Sequence, residues 1–582
     1  MHFETIIRNG TVVDGSGKEP FVADVAIHQG RIAAVGRIEA QADEEIDAGG
    51  KLVTPGFVDI HTHYDGQITW EQRMRPSSDH GVTTVVMGNC GVGFAPCRPD
   101  QRDMLVEVME GVEDIPEVVM TEGLPWNWES FPDYLDVLAG RQADVDFAAQ
   151  VPHSPVRVFV MGERGAAREA ATPEELRQMR AIVRDGVAAG ALGVTTSRNH
   201  GHRTVAGELA PSVDADRAEL LALAGGLADA GTGVFQMIPN SHYGDDPQSD
   251  MALFQDIVEV SGRPLSFSLL QKKFQRDLPE TMLAMLADYN RDASIPIRAQ
   301  VFPRPIGMLY GLELSFHPFR FHPSFQPLAD LPLAEKVAAL RDPELRARLL
   351  AETPVTDNPL YMMLASDVED LYPMGDPPNY EPPAETRLGA RAAREGRSAA
   401  ELALDALLER EGRGLLMMPS SNYVDGNLEM VRRMIADPNT LIALGDGGAH
   451  YSLICDSSFP TFVLTHWVRD RAEGRLPLAW AVRQLSHEPA RAVGLEDRGL
   501  LRPGYKADIN VIDPATLELP APSIVYDLPA GGRRLVQRAR GYDLTMVSGT
   551  VTYRAGEATG ALPGRLVRGA QPVPVEAVSE PA

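Results

Sequence analysis

In PGFVDIHTHYDG, residues 55–66, His61 and His63 stand one residue apart at the end of an apolar run. In an extended chain alternate side chains share a face, so both imidazoles point one way and Thr62 the other. Two imidazoles at a strand terminus make a metal-binding pair; the competing reading is two solvated histidines on a loop. A second apolar run, GVTTVVMGNCG at 81–91, ends in Cys90 within a glycine-rich turn. A lone cysteine after a strand is ordinarily a small buried hydrophobe. Beside the histidine pair it becomes a third ligand candidate, and thiolate with imidazole suits Zn²⁺. In TLIALGDGGAH, Asp446 lies just past another buried run, with His450 close behind. An isolated Asp-Gly is most often a solvated turn. At the same end as a ligand cluster, Asp446 is instead a candidate further ligand or proton-transfer base.

These residues need elements that bring them to one place. Apolar runs (TTVVMGN, FAAQVPH, GALGVTTS, TGVFQMIP, PLSFSLL, IPIRAQVFP) alternate with helical stretches such as TPEELRQMRAIVRDGVAAG and RAELLALAGGLADAG. Thr172 followed by Glu175 is a helix-capping signature. Strand–helix alternation over this length predicts an α/β fold, a (β/α)8 TIM-type barrel whose working residues sit at the C-terminal ends of its strands. The first fifty-odd residues and the region from about 500 to 570 have a different texture, short strands with β-branched residues. Asn9-Gly10 and Gln29-Gly30 are expected to mark hairpin turns there. The division expected is a small β-sandwich from 1–55 and 500–570, a barrel over 56–499, and a flexible tail at 571–582. A proline- and aromatic-rich insertion at about 303–419 interrupts the alternation and could shape the substrate site or an oligomer contact.

Composition narrows the partners. The 582 residues carry a formal net charge of −27, which argues against nucleic acid and anionic membrane surfaces. No apolar run approaches the ~20 residues of a membrane-spanning helix. The N-terminus lacks the pattern of a signal or transit peptide. Three cysteines are too few for a disulfide framework, so a reducing cytoplasmic location is expected.

The order PGFVDIHTH, GNCG, GDGGAH resembles the amidohydrolase superfamily, and within it the D-aminoacylase (N-acyl-D-amino-acid deacylase) family. VPHSPVRVFVMG resembles that family's third-strand segment, with His153 at a histidine position. TPEELRQMRAIVRDGVAAGALGVTTS resembles its fourth helix–strand unit, and GLLRPGYKADINVIDP with TGALPGRLVRG resembles its closing sandwich. The resemblance implies a metal-bearing barrel joined to a small sandwich, and hydrolysis of a small linear amide, an N-acyl amino acid of D configuration. It also brings two departures. Strand five, normally ending in a metal-binding histidine, offers Ile238; strand six, normally ending Ser-His with a nearby lysine, offers Leu269, with Gln271 at the lysine's place.

Three protein ligands and an open position are a common catalytic zinc arrangement. His61, His63 and Cys90 could supply the three, with Asp446 as base or fourth ligand, so one divalent metal, Zn²⁺ by default, is expected rather than two. A metal in such a site lowers the pKa of its water from ~15.7 toward ~7 and polarises a carbonyl. Asp446 would take the water's proton and return it to the leaving nitrogen. His153 is a candidate donor to the carbonyl or oxyanion, with a core role as the alternative. Arg198, His200 and His202 in SRNHGHRTVAG, with Asn240, Lys272 and His450, are candidates for binding substrate. Two other readings stay open: a cyclic-amide hydrolase of the hydantoinase kind, and a barrel that has lost catalysis and binds a small molecule. Oligomerisation is possible.

Overall fold

The computed structural model describes residues 2–575 except His242, Tyr243 and Asp245. The part of the 571–582 tail beyond residue 575 therefore lies outside the described residues.

Both ends of the chain build one nine-stranded sheet. Its order is Glu557–Ala558, Thr550–Arg554, Tyr542–Val547, Ile509–Ile512, Leu52–Pro55, Phe3–Val12, Phe21–His28 and Arg31–Gly36, with Ala42–Asp47 beside Phe3–Val12. The join between the two ends is the antiparallel pair Leu52–Pro55 with Ile509–Ile512. Alternation buries Ile7, Val25, Ile27, Val53, Ile509, Val511 and Met546 on one face, where they form a common core. Gln29 and Gly30 are the two-residue turn expected, both with positive φ, as a hairpin of this twist requires. Asn9-Gly10 is not a turn. It lies inside Phe3–Val12, where the register to the neighbouring strand shifts between Ile7 and Gly10 and Asn9 takes φ 58°, so the signal marks a β-bulge. TGALPGRLVRG does not close this sheet either. It bridges Ala143 through Gly564 and Phe147 through Leu566, running along the central strands instead.

Between the two ends lie parallel strands alternating with helices, labelled here β1 (Phe57–Asp59), β2 (Val82–Met87), β3 (Asp146–Ala149, continued as Val151–Pro152), β4 (Gly193–Ser197), β5 (Val234–Ile238), β6 (Leu265–Ser268), β7 (Ile297–Val301) and β8 (Thr440–Ile442). β1, β2 and the first part of β3 form one parallel sheet; the second part of β3 through β8 form another, in chain order. Nearly every residue of these strands is buried, because helices cover one face and side chains fill the other. Thr172 caps the helix Pro173–Ala188 as expected, its hydroxyl accepting from Glu175 N while the Glu175 carboxylate accepts from Thr172 N.

At the N-terminal ends of the strands, a buried charge cluster ties the terminal sheet on. Asp146, which opens β3, receives Arg498 at 2.9 Å and Lys506 at 2.7 Å, and Lys506 also meets Asp508 at 3.0 Å. The stretch between β7 and β8 has a small sheet of its own, Ile306–Tyr310 and Tyr372–Pro373 flanking Leu416–Ser421. It also has its own core, including Tyr310, Phe316, Leu340, Leu402 and Leu407.

Candidate metal centre

His61 and His63 follow β1 directly, and the backbone around them is pinned on both sides. His63 N donates to the carbonyl of Gly447 at 2.7 Å, and Asp446 N donates to that of His61 at 3.1 Å. Thr62 points the other way, its hydroxyl donating to the Val86 carbonyl at 2.8 Å. The two imidazoles therefore share a face, with ring centroids 5.6 Å apart.

Cys90 enters from the turn after β2. Gly88 and Gly91 have positive φ, and Cys90 itself sits at φ 55°. A Cβ on Gly88 would stand 2.3 Å from the carbonyl oxygen of Gln150, so only glycine lets the turn pack this closely against β3. Asn89 braces the turn by donating to the carbonyls of Thr62 and Val86. Thr195 of β4 donates to the Gly88 carbonyl and accepts from Gly91 N.

Asp446 lies four residues beyond β8, at φ 46°. Its carboxylate oxygen is 3.3 Å from His61 Nε2 and 3.5 Å from His63 Nε2, and Cys90 Sγ is 3.4 Å from His61 Nε2. Ligand atoms of His61, His63 and Cys90 all lie within 4.8 Å of one another. These separations suit donors around one ion: a tetrahedral site with bonds of about 2.0–2.3 Å has edges of roughly 3.3–3.8 Å. Nε2 of His63 makes no hydrogen bond, nor does Oδ1 of Asp446, although both are buried. Unpaired buried polar atoms carry a desolvation cost that a cation at this point would remove. The donor set thus fits a divalent metal.

Burial pushes the Cys90 thiol up to about 12 and the His61 imidazolium down to about 4. Burial opposes ionisation of Asp446, but His63, His61 and His450 together hold it far below the ordinary carboxylate range. Asp446 keeps 23% side-chain exposure while His61 and His63 are sealed, so the carboxylate faces the opening.

Several residues beside the cluster were missed from the sequence. Gln300 of β7 accepts from His61 Nδ1 at 2.8 Å and donates to Ser266 of β6 at 2.9 Å, which leaves His61 Nε2 facing the cluster. Glu113 ends the helix Arg102–Glu113, with one oxygen 3.5 Å from His63 Nδ1 and the other 3.5 Å from His450 Nε2. Burial raises its pKa to about 7. Its signal was a carboxylate on the helix's apolar face, four residues after Met109 and seven after Val106, both buried.

The other candidates separate. His450 stands at the cluster, and burial lowers it to about 4. His202 has a buried, unpaired Nδ1; burial lowers it to about 3, and His450, His63, Asp446 and His61 are the charges it feels. His153 does not meet the expectation of an oxyanion donor. Both its ring nitrogens are taken, Nδ1 by Thr196 and Nε2 by Glu219, each at 2.8 Å, and Glu219 is also paired with Arg157. Arg198 is paired with Asp250 at 3.1 Å. His200 is exposed, 4.0 Å from Asp214 and 3.5 Å from the Asn240 side chain. Lys272 is half-buried over the Phe274 ring, and burial lowers it to about 8. Gln271 donates to Asp425 at 3.0 Å, so the group at the lysine's place is turned toward the segment between β7 and β8. Ile238 and Leu269, at the places of the two absent histidines, are buried in the main core with Cys90.

The family model described as "Amidohydrolase family" matches residues 44–553. D-aminoacylase of Alcaligenes xylosoxydans xylosoxydans is 28% identical over 575 residues, spanning 97% of both chains. Among solved structures, a D-aminoacylase whose binuclear metal centre is described by one-metal activation and second-metal attenuation superposes with TM-score 0.64 at 24% identity, covering 97% of this chain and all of that one. N-acyl-D-glutamate deacylase from Bordetella bronchiseptica, complexed with zinc and a phosphonate mimic of the tetrahedral intermediate, superposes with TM-score 0.62 at 22% identity, covering 98% and 100%.

Proposed function

Since the chain belongs to the amidohydrolase family, we propose that it is a metal-dependent hydrolase that removes the acyl group from N-acyl-D-amino acids. The observation that carries this reading is the convergence of His61, His63 and Cys90 within 4.8 Å, with the Asp446 carboxylate against both imidazoles. Full-length similarity to a D-aminoacylase supports the substrate class.

His61, His63 and Cys90 would hold the divalent ion, which when bound would supply an acidified water and polarise the amide carbonyl. Asp446, ionised and facing the opening, takes the proton as the water oxygen bonds to the acyl carbon. It returns that proton to the amide nitrogen as the C–N bond breaks, giving a carboxylate and a free amine. The proton return matters because an unprotonated amine is a poor leaving group. His202, beside the cluster, takes the carbonyl-binding role that His153 cannot fill. A cationic or amide side chain among Lys272, Asn240 and His200 meets the substrate carboxylate in this reading, while Arg198 is held by Asp250.

One metal per chain is the reading that Ile238 and Leu269 support, because neither side chain can coordinate, and one-metal activation in the related D-aminoacylase agrees with it. The hydantoinase-like alternative loses ground at β4, whose residues GVTTS include no lysine that could be carboxylated to bridge two metals. The strands form a closed (β/α)8 ring in this reading, supported by the parallel bridge from Thr62 to Gly447 and by the fold likeness above. Residues 56–499 then make the barrel and the two ends its companion domain. No helix among the described residues is long and apolar enough to cross a membrane.

The test pairs elemental analysis with product analysis. Wild type should carry about one zinc per chain, a His61→Ala/His63→Ala variant essentially none. Wild type should release amine from N-acyl-D-amino acids in preference to the L-forms, and Asp446→Asn should lower that rate by about 10²–10⁴-fold. No bound metal under zinc-replete conditions would falsify the hydrolase reading.

A further inference from the structure

His61 and His63 are oriented by different means. Gln300 accepts from Nδ1 of His61, which directs Nε2 to the cluster. His63 presents Nε2 to Asp446 in the same way, and what faces its Nδ1 is the buried carboxylate of Glu113. The second oxygen of Glu113 faces His450 Nε2 at 3.5 Å, and the Glu113 carbonyl also accepts from His450 N. One residue thus touches both a ligand and the turn that carries Asp446. Glu113 Oε1 is itself buried without a hydrogen bond.

Resting on the metal-hydrolase reading, we propose that Glu113 is a positioning residue that clips His63 to His450. It sets the His63 tautomer with the proton on Nδ1 and the lone pair of Nε2 toward the ion, and it fixes the Asp446–His450 turn. A carboxylate behind a ligating imidazole raises its basicity and holds its ring plane. With Ile238 and Leu269 contributing no donors, affinity for the ion depends on the few ligands that remain, so their orientation carries more of it. The helix Arg102–Glu113 does this from outside the barrel strands.

The test uses the full-length protein stripped of metal, titrated with Zn²⁺ against a chelator and with Co²⁺ by visible absorption. Wild type establishes binding first; if it binds neither ion, the hydrolase reading falls and this proposal with it. Where wild type binds, Glu113→Gln should weaken Zn²⁺ binding by about 10–100-fold and shift the Co²⁺ spectrum, because an amide lacks the negative charge that faces both histidines. Wild-type affinity with an unchanged spectrum in Glu113→Gln overturns the proposal while leaving the hydrolase reading intact. Should that variant not fold, Glu113→Asp serves the same comparison, since it keeps the charge and withdraws it by one methylene. Weaker binding with a shifted spectrum supports the clip, and wild-type values overturn it.

Discussion

His153 shows how the same residue type serves chemistry or packing according to its partners. The sequence placed it after a strand of the barrel, as it did His61, and offered it as a donor to the oxyanion. The structure instead puts it in a buried chain, Thr196–His153–Glu219–Arg157, with no ring nitrogen left over. His153→Ala should therefore act on stability. It leaves Glu219 and Thr196 short of partners in the interior, which costs about 1–3 kcal/mol in urea-unfolding free energy. The folded variant should keep kcat within about tenfold of wild type, whereas losing an oxyanion donor costs about 10²–10³. A kcat loss of that larger size in a fully folded variant would return His153 to the catalytic set.

At the level of the element, the turn after β2 delivers Cys90 in a left-handed conformation that a cysteine rarely adopts. Glycine on both sides, the Asn89 side chain and Thr195 of β4 together hold it there. Gly88→Ala places a Cβ against the Gln150 carbonyl at a φ of 84°, and the chain must shift to accept it. The expected cost is about 1–3 kcal/mol, seen as a lower thermal midpoint of the metal-free protein and a weaker Zn²⁺ constant by chelator competition. Unchanged zinc affinity would mean that the turn's shape does not govern the thiol's position. The helix Arg102–Glu113 makes the complementary point. Its apolar stripe docks it on the core, and one carboxylate on that stripe reaches the metal cluster.

Across the whole molecule, the two chain ends and the parallel strands between them are joined by buried polar contacts, and one of them is acid-sensitive. His80, on the turn Ser77–His80, bonds Thr461 at 2.8 Å through Nδ1 and the Gln537 carbonyl at 2.6 Å through Nε2. Burial lowers its pKa to about 3. The unfolded chain takes a proton here near pH 6.5 and the folded one only near 3, so between those values the unfolded state holds more protons. Stability from this group is full above pH 6.5 and drains away on acidification toward pH 3, by about 1.4 kcal/mol per pH unit. Urea midpoints of the metal-free protein should fall between pH 7 and pH 5, with a shallower slope, by about one proton, in His80→Gln. Equal slopes would rule out His80 as a source of acid lability.

By itself the sequence offered His61, His63 and Cys90 as candidate ligands, Asp446 as the carboxylate beside them, and the strand–helix alternation. Those features are written in local patterns: alternation along a strand, glycines around a turn, a capping pair at Thr172 and Glu175. Asn9-Gly10 shows the limit of such patterns, since a positive φ serves a hairpin turn and a bulge equally and only strand pairing distinguishes them. Tertiary structure alone decided which polar residues back the ligands. Glu113 lies 50 residues from His63 and Gln300 lies 239 from His61, and neither has a local signature that names its partner. The same holds for Arg198 and His153, whose charges and protons were claimed by Asp250 and Glu219 from other elements. A side chain's type fixes what bonds it can make; the packing of distant elements fixes which of those bonds it has already made.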